Sequence, residues 1–269
     1  LCYNNGMKKY RYGFTLIEVA IFLAVTGALF AAVTIGVQNS IYQQRYNDTV
    51  QNFVSFLENL YAEVANVQSI GTGRGSEAVY GKLVTFGEKP VGDVDQNKQV
   101  IHVYTVIADA VNSTSDLNSG KTLPLLKSLH ANVIKKDTVE LAGMEETYTP
   151  KWAGRIQNKD DFEDYKGALL IVRNPKSGMI QTFVMDKATI DVEDAIANAG
   201  GYFNVFDTGS DTSYLDGNNF KSSAIDFCVN PNGSEESGNR ADVRIIAGAR
   251  DASGVEIVPL DSDKNVCNK

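Results

Sequence analysis

The sequence predicts an α+β fold: one long N-terminal helix followed by a β-rich head built on an antiparallel sheet. Three observations carry the prediction. From Val19 to Val37, nineteen residues run without a charge, and Thr26 and Thr34 are the polar members. Apolar residues then recur at Ile41, Tyr42, Val50, Phe53, Val54, Leu57, Leu60, Tyr61, Val64 and Val67. Spacings of three and four dominate, the period of a helix with one buried stripe. Beyond Gly71 the chain turns to short runs rich in β-branched and aromatic residues, punctuated by Gly, Asn, Asp and Pro, which read as strands and turns.

The first element is basic. Residues 1–13 hold Lys8, Lys9 and Arg11 and no acid, so of 25 Lys and Arg in the chain 22 remain, against 33 Asp and Glu. A basic N-terminus, an apolar run and an acidic body together fit an N-terminus kept in the cytoplasm and a body carried across a membrane. The acidic balance offers no bulk electrostatic basis for nucleic-acid binding, so DNA binding is not indicated. As a helix at about 1.5 Å per residue, Val19–Val37 covers close to 30 Å, the thickness of a bilayer's hydrocarbon.

A secretory signal would have a shorter apolar core and a small-residue cleavage site after it, and the residues around Gly36 offer none. An ordinary signal anchor has the right length but leaves Glu18 unexplained. A carboxylate at the start of a membrane segment is penalised unless it is matched. The remaining reading places processing before the apolar run, at Gly13, so that the membrane segment stays on the mature chain.

The stretch "KKYRYG" followed by "FTLIEV" closely resembles the class III leader and mature start of type IV pilins and pilin-like proteins. The matching features are a short basic leader, Gly13 before the cut, Phe14 as the new N-terminus, Thr15, Leu16, Ile17, and Glu18 at the fifth mature position. Met7 offers a start for this leader; residues 1–6 are then either extra leader or untranslated. The likeness covers about residues 7–60, and the rest of the chain carries no family motif. It implies a prepilin peptidase that cleaves between Gly13 and Phe14 and methylates the Phe14 amine. It also implies single-pass insertion in the inner or cytoplasmic membrane, contact with membrane lipid before assembly, an inner-membrane assembly platform, and a homo- or hetero-oligomeric filament at the cell surface. In that filament Glu18 is expected to pair with the Phe14 amine of a neighbouring subunit and so set the axial register. No cofactor and no catalytic activity are expected.

The resulting organisation is a leader (1–13), a transmembrane and filament-core helix (14–38), an amphipathic second half of the same helix (39–70) and a globular head (71–269). Gly71, opening "GTGRGS", is the expected helix stop. Many major pilins carry a proline inside the apolar segment, whereas here Ile35 stands at that place and Pro90 is the first proline. Gly27 and Gly36 admit two readings: a stretch that unwinds during assembly, or small residues for close helix packing. The missing proline and the long mature chain favour a minor over a major pilin, with a type II secretion pseudopilin as the alternative.

In the head, strands are expected at 82–86, 99–108, 167–174, 179–185, 223–229, 242–248 and 254–260, with "NPKSG" as a hairpin turn. Short helices are expected at 124–136 and 189–201, and the polar stretch 143–166 carries no clear signal. Cys2 falls within the leader, so export leaves Cys228 and Cys267, an even pair that reads as a disulfide with 38 residues between; the competing reading is two free buried thiols. A C-terminal disulfide loop is also what the pilin resemblance implies.

Signals for chemistry are few. "DTGS" at 207–210 is similar to an aspartic-protease turn, but a second motif of that kind is missing from the chain, and such enzymes need two carboxylates sharing a proton. A membrane-anchored aspartic-type hydrolase is therefore a remote alternative, and a strand end followed by an Asp/Gly turn the plainer reading. Asp207, Asp211, Asp216 and Asn218 form a weak calcium candidate. "DVDQN" at 93–97 begins like a calcium loop but has Lys98 where glycine belongs and Tyr104 where the bidentate acid belongs. "GTGRGS" follows a helix, not a strand, and lacks the setting of a phosphate cradle. His102 and His130 lack metal-spaced partners and read as structural. Trp152 and the twelve tyrosines suit either an adhesive surface or core packing.

Overall fold

The computed structural model describes residues 15–66, 77–88, 99–109, 123, 126, 132–134, 145–160, 163–186, 202–204, 221–231, 240–259 and 261–267. Helix α1 spans Leu16–Ala65, 50 residues. The chain divides into two compact units, Leu1–Gln44 and Arg45–Lys269. Among the described residues, eleven strands follow α1 and form two antiparallel sheets in the second unit. They are β1 (Glu77–Glu88), β2 (Val100–Asp109), β3 (Asn132–Ile134), β4 (Glu145–Tyr148), β5 (Arg155–Gln157), β6 (Gly167–Arg173), β7 (Ile180–Asp186), β8 (Tyr202–Asn204), β9 (Ile225–Asn230), β10 (Ala241–Ile245) and β11 (Val255–Val258). The larger sheet runs β7-β6-β1-β2-β3-β8, with β4 also paired to β2; the smaller runs β11-β10-β9-β5. The α+β class expected from the sequence is what the chain adopts.

One core joins α1 to both sheets. From the helix come Val50, Phe53, Val54, Leu57, Leu60, Tyr61 and Val64, all buried, at the spacing an amphipathic helix requires. They meet Val84 and Phe86 of β1, Ile101 and Val103 of β2, Leu169 and Ile171 of β6, and Phe227, Val229 and Val243 of the smaller sheet. Phe227 lies at the centre, with ring centroids 5.5 Å from Phe53, 5.1 Å from Phe86 and 5.2 Å from Tyr165. Polar links fix the helix in place. Tyr61 Oη and Thr182 Oγ1 are 2.8 Å apart, and the Thr182 hydroxyl donates to the Ala249 carbonyl at 3.0 Å. Lys82 Nζ reaches Glu63 of α1 at 2.8 Å and Glu146 of β4 at 3.4 Å.

The larger sheet is buried on its other face as well, where Leu83, Tyr104, Val106 and Leu170 are excluded from solvent. This explains why β6 reads "GALLIVR", an unbroken apolar run with no alternation. The β6–β7 turn follows its sequence: Asn174 Oδ1 accepts from the Lys176 and Ser177 amides at 2.9 Å each, and Gly178 takes φ 71°, a conformation open to glycine.

Three expectations are corrected, and one stretch without a sequence signal is placed. Helix α1 ends at Ala65, and Asn66 is already a bend; the stop precedes Gly71, which lies outside the described residues. The buried stripe opens at Thr49 and Val50, while Ile41 and Tyr42 are exposed. Within the expected helix 124–136, Leu123 and Leu126 flank its start in helical conformation, but Asn132–Ile134 is β3. That strand pairs with β2 on one side and β8 on the other, so hydrogen bonding from both neighbours overrides a helical reading that β-branched Val133 and Ile134 support poorly. The unplaced stretch 143–166 contains β4 and β5, which pair with β2 and β9. Helix 189–201 lies outside the described residues.

Candidate functional site

Gly13 and Phe14 lie outside the described residues, so the site begins at Thr15. The Thr15 amide donates to Glu18 Oε2 at 2.9 Å and the Thr15 hydroxyl to the same oxygen at 3.0 Å. In return the Glu18 amide donates to Thr15 Oγ1 at 3.3 Å. This reciprocal pair is a capping box, in which a Thr at the helix start and a Glu three residues on satisfy each other's orphan amides. The signal stood in the sequence as T-x-x-E before an apolar run, and the charge-matching reading passed over it. Glu18 thus has a local structural task in a single chain, apart from any task between chains.

Beyond Glu18 the helix presents apolar surface. Leu16 is 89% exposed, and Phe22, Leu23, Leu29, Phe30 and Val33 are exposed too. Contiguous apolar surface of this extent marks a place that lipid or protein covers. The two hydroxyls within it are turned inward. Thr26 Oγ1 donates to the Phe22 carbonyl at 2.8 Å, and Thr34 Oγ1 donates to the Phe30 carbonyl, so neither leaves a donor without a partner in an apolar setting. Helix α1 passes through Gly27 and Gly36 unbroken, and nothing lies within 4 Å of a Cβ added at either. Among the described residues, this is the one helix long and apolar enough to cross a membrane.

The C-terminal segment is tied down at several points. Cys228 and Cys267 form a disulfide with Cα atoms 5.4 Å apart, which settles the choice between a bridge and free thiols. Asp242, opposite Cys228 in the β9–β10 register, is fully buried and accepts from the Val266 amide at 3.1 Å through Oδ2. Arg244 pairs with Asp226 and donates to the Lys264 carbonyl at 3.1 Å, with Asp242 at 3.8 Å and Glu256 at 4.0 Å. Burial pushes the Asp242 carboxyl above the ordinary aspartate range. Asp226 and Glu256 push the same way; the Val266 amide and Arg244 oppose them.

A further exposed feature is the turn before β5. Trp152 and Ala153 both take positive φ, 58° and 56°, a left-handed conformation that costs a bulky residue on the order of 1 kcal/mol or more. The turn is clamped to α1. Thr49 Oγ1 donates to the Arg45 carbonyl at 2.8 Å and lies 3.3 Å from the Lys151 carbonyl, and a Cβ on Gly154 would stand 2.7 Å from Thr49 Cγ2. Trp152 is left 51% exposed with the Arg45 guanidinium 5.1 Å from its ring centre, so it is not a core residue.

Asp207, Asp211, Asp216 and Asn218, with the rest of "DTGS", His130, and the stretches 71–76 and 93–97 lie outside the described residues. His102 is buried in β2 beside Tyr104. Among the described residues no group of three or more His, Cys, Asp or Glu could hold a metal ion. Compared with family models, curated proteins and solved structures, the chain finds no match.

Proposed function

We propose that this chain is a non-enzymatic structural subunit of a type IV pilus-like extracellular filament. It is inserted through the membrane by α1, cut by a prepilin peptidase between Gly13 and Phe14, methylated on Phe14, and polymerised through the helix. The observation that carries the reading is a fixed register: basic leader, Gly13 and Phe14 precede a helix that carries Glu18 in its first turn and whose apolar side chains are exposed over its N-terminal part. Within the class, a minor pilin is favoured over a major one, and a secretion pseudopilin is the alternative. Before assembly the covering material is lipid; after assembly it is the helices of other subunits, where Gly27 and Gly36 either unwind or allow close packing.

Glu18 then has two tasks. In the single chain it caps α1 with Thr15; in the filament it matches the Phe14 amine of a neighbour. A charge buried without its partner is strongly disfavoured, so wrong registers are rejected. Two substitutions separate the tasks. Glutamine also serves at the third position of a capping box, so Glu18→Gln keeps the cap and loses the charge, whereas Glu18→Ala loses both. The reading expects normal amounts of both variants in the membrane fraction and few or no sheared filaments containing either. Wild-type incorporation of Glu18→Gln with failure of Glu18→Ala would leave only the cap, and the pairing would be abandoned.

A further inference from the structure

We infer that the Trp152 turn is a membrane-interface foot of the head, resting on the lipid headgroups while the subunit is still inserted. This rests on the membrane-anchored reading above and adds a contact made by the head itself. The chain enters the second unit at Arg45, eight residues beyond Val37, the end of the apolar run. Helix α1 is unbroken across those residues, a step of about 12 Å along its axis. That is within side-chain reach of a headgroup layer about 5–8 Å deep on each side of the hydrocarbon. Arg45 is thus the first residue of the second unit along the chain, eight residues from the apolar run.

The chemistry there suits a headgroup layer. Tryptophan concentrates at membrane interfaces because its ring is apolar and its N–H polar, and lysine and arginine flank it to meet phosphate. Here Trp152 lies beside Arg45 with Lys151 next in the chain, two cations on a body where acids outnumber bases. The left-handed backbone at Trp152 and Ala153 goes with a ring left on the surface, and Thr49 of α1 packs closely against the turn at Gly154. A strained turn that exposes a large aromatic ring gains nothing for the core; it is spent on presentation. Anionic phospholipid is the occupant that both the tether and the two cations favour.

Trp152 is the one tryptophan in the chain, so its fluorescence reports this site alone. The full chain is reconstituted into phosphatidylcholine vesicles containing phosphatidylglycerol, and flotation on a density gradient shows insertion. The expected result is a blue-shifted emission that is quenched when the lipids carry bromine near the top of the acyl chains, and quenched less when bromine sits near the chain ends. Arg45→Glu, floating as well as wild type, should lose most of that quenching. A chain that floats but is quenched by neither lipid overturns the inference and leaves membrane anchoring standing. An emission shift that follows protein density and ignores bromine also overturns it, and assigns the ring to a second copy. A chain that does not float overturns anchoring and this inference together.

Discussion

Replacing Phe227 tests whether α1 and the two sheets share one core. The ring is fully buried and touches Phe53 of α1, Phe86 of β1 and Tyr165 near β6, at centroid distances of 5.1 to 5.5 Å. Truncating a buried phenylalanine to alanine costs about 3–5 kcal/mol, from lost transfer energy and the cavity left behind. Phe227→Ala belongs at the upper end, because neighbours on three elements cannot all move inward at once. Phe227→Leu keeps most of the volume but loses three ring–ring contacts, each worth about 0.5–1.5 kcal/mol beyond burial, and is expected to cost about 2 kcal/mol. For a body of this size each kcal/mol lowers Tm by about 2–4 °C, so Phe227→Ala should melt on the order of 10 °C early. The assay is thermal unfolding of the full chain in detergent, followed by near-ultraviolet circular dichroism. Ile257→Ala, on the exposed side of β11, serves as the control and should change little. Combining Phe53→Leu with Phe227→Leu should show a coupling of about 0.5–1.5 kcal/mol. If Phe227→Ala melts with the control, or the pair shows no coupling, helix and sheets do not form one core.

Two further predictions concern the C-terminal segment. With a sequence separation of 39 between Cys228 and Cys267, chain entropy makes the bridge worth about 4 kcal/mol; mild reduction should lower the denaturant midpoint accordingly, and a loss under about 1 kcal/mol would contradict the entropic account. Because burial raises the Asp242 pKa in the folded state, ionising it opposes folding, and the penalty enters as pH rises from the ordinary aspartate value through the raised one. Asp242→Asn should therefore gain stability over wild type as pH rises above the ordinary aspartate value in paired thermal melts; a relative gain on acidification instead would show that the buried carboxylate stabilises the fold.

The parts of this fold legible in sequence are those set by local rules. The apolar run, the stripe Val50–Val64, the Asn174–Gly178 turn and the strands β1, β2, β6, β7, β9, β10 and β11 follow from period and turn chemistry. What was hidden depends on distant partners. β3 is a strand because β2 and β8 supply its hydrogen bonds, and β4 and β5 emerge from a polar stretch because β2 and β9 offer edges. The early helix end and the exposure of Ile41 and Tyr42 depend on where the core begins, which periodicity does not reveal. At the candidate site, Glu18 drew attention through its charge, yet its partner Thr15 was visible through the T-x-x-E spacing. The exposure of Trp152 is not legible in sequence, because it follows from two left-handed residues in a turn packed against Thr49, which lies 102 positions before Lys151 in the chain.

The central claim is that Phe14 becomes the N-terminus of a membrane-inserted subunit destined for a filament. Intact-mass and N-terminal peptide mass spectrometry of the protein recovered from sheared surface filaments tests it most directly. The account predicts a chain that begins at Phe14, carries one methyl group on its amine, and retains the whole of α1. Replacing Gly13 with a bulky residue should leave the leader attached and the protein in the membrane fraction. A mature chain beginning near Gln38, with the apolar run removed, would contradict the account and make this a conventionally secreted protein.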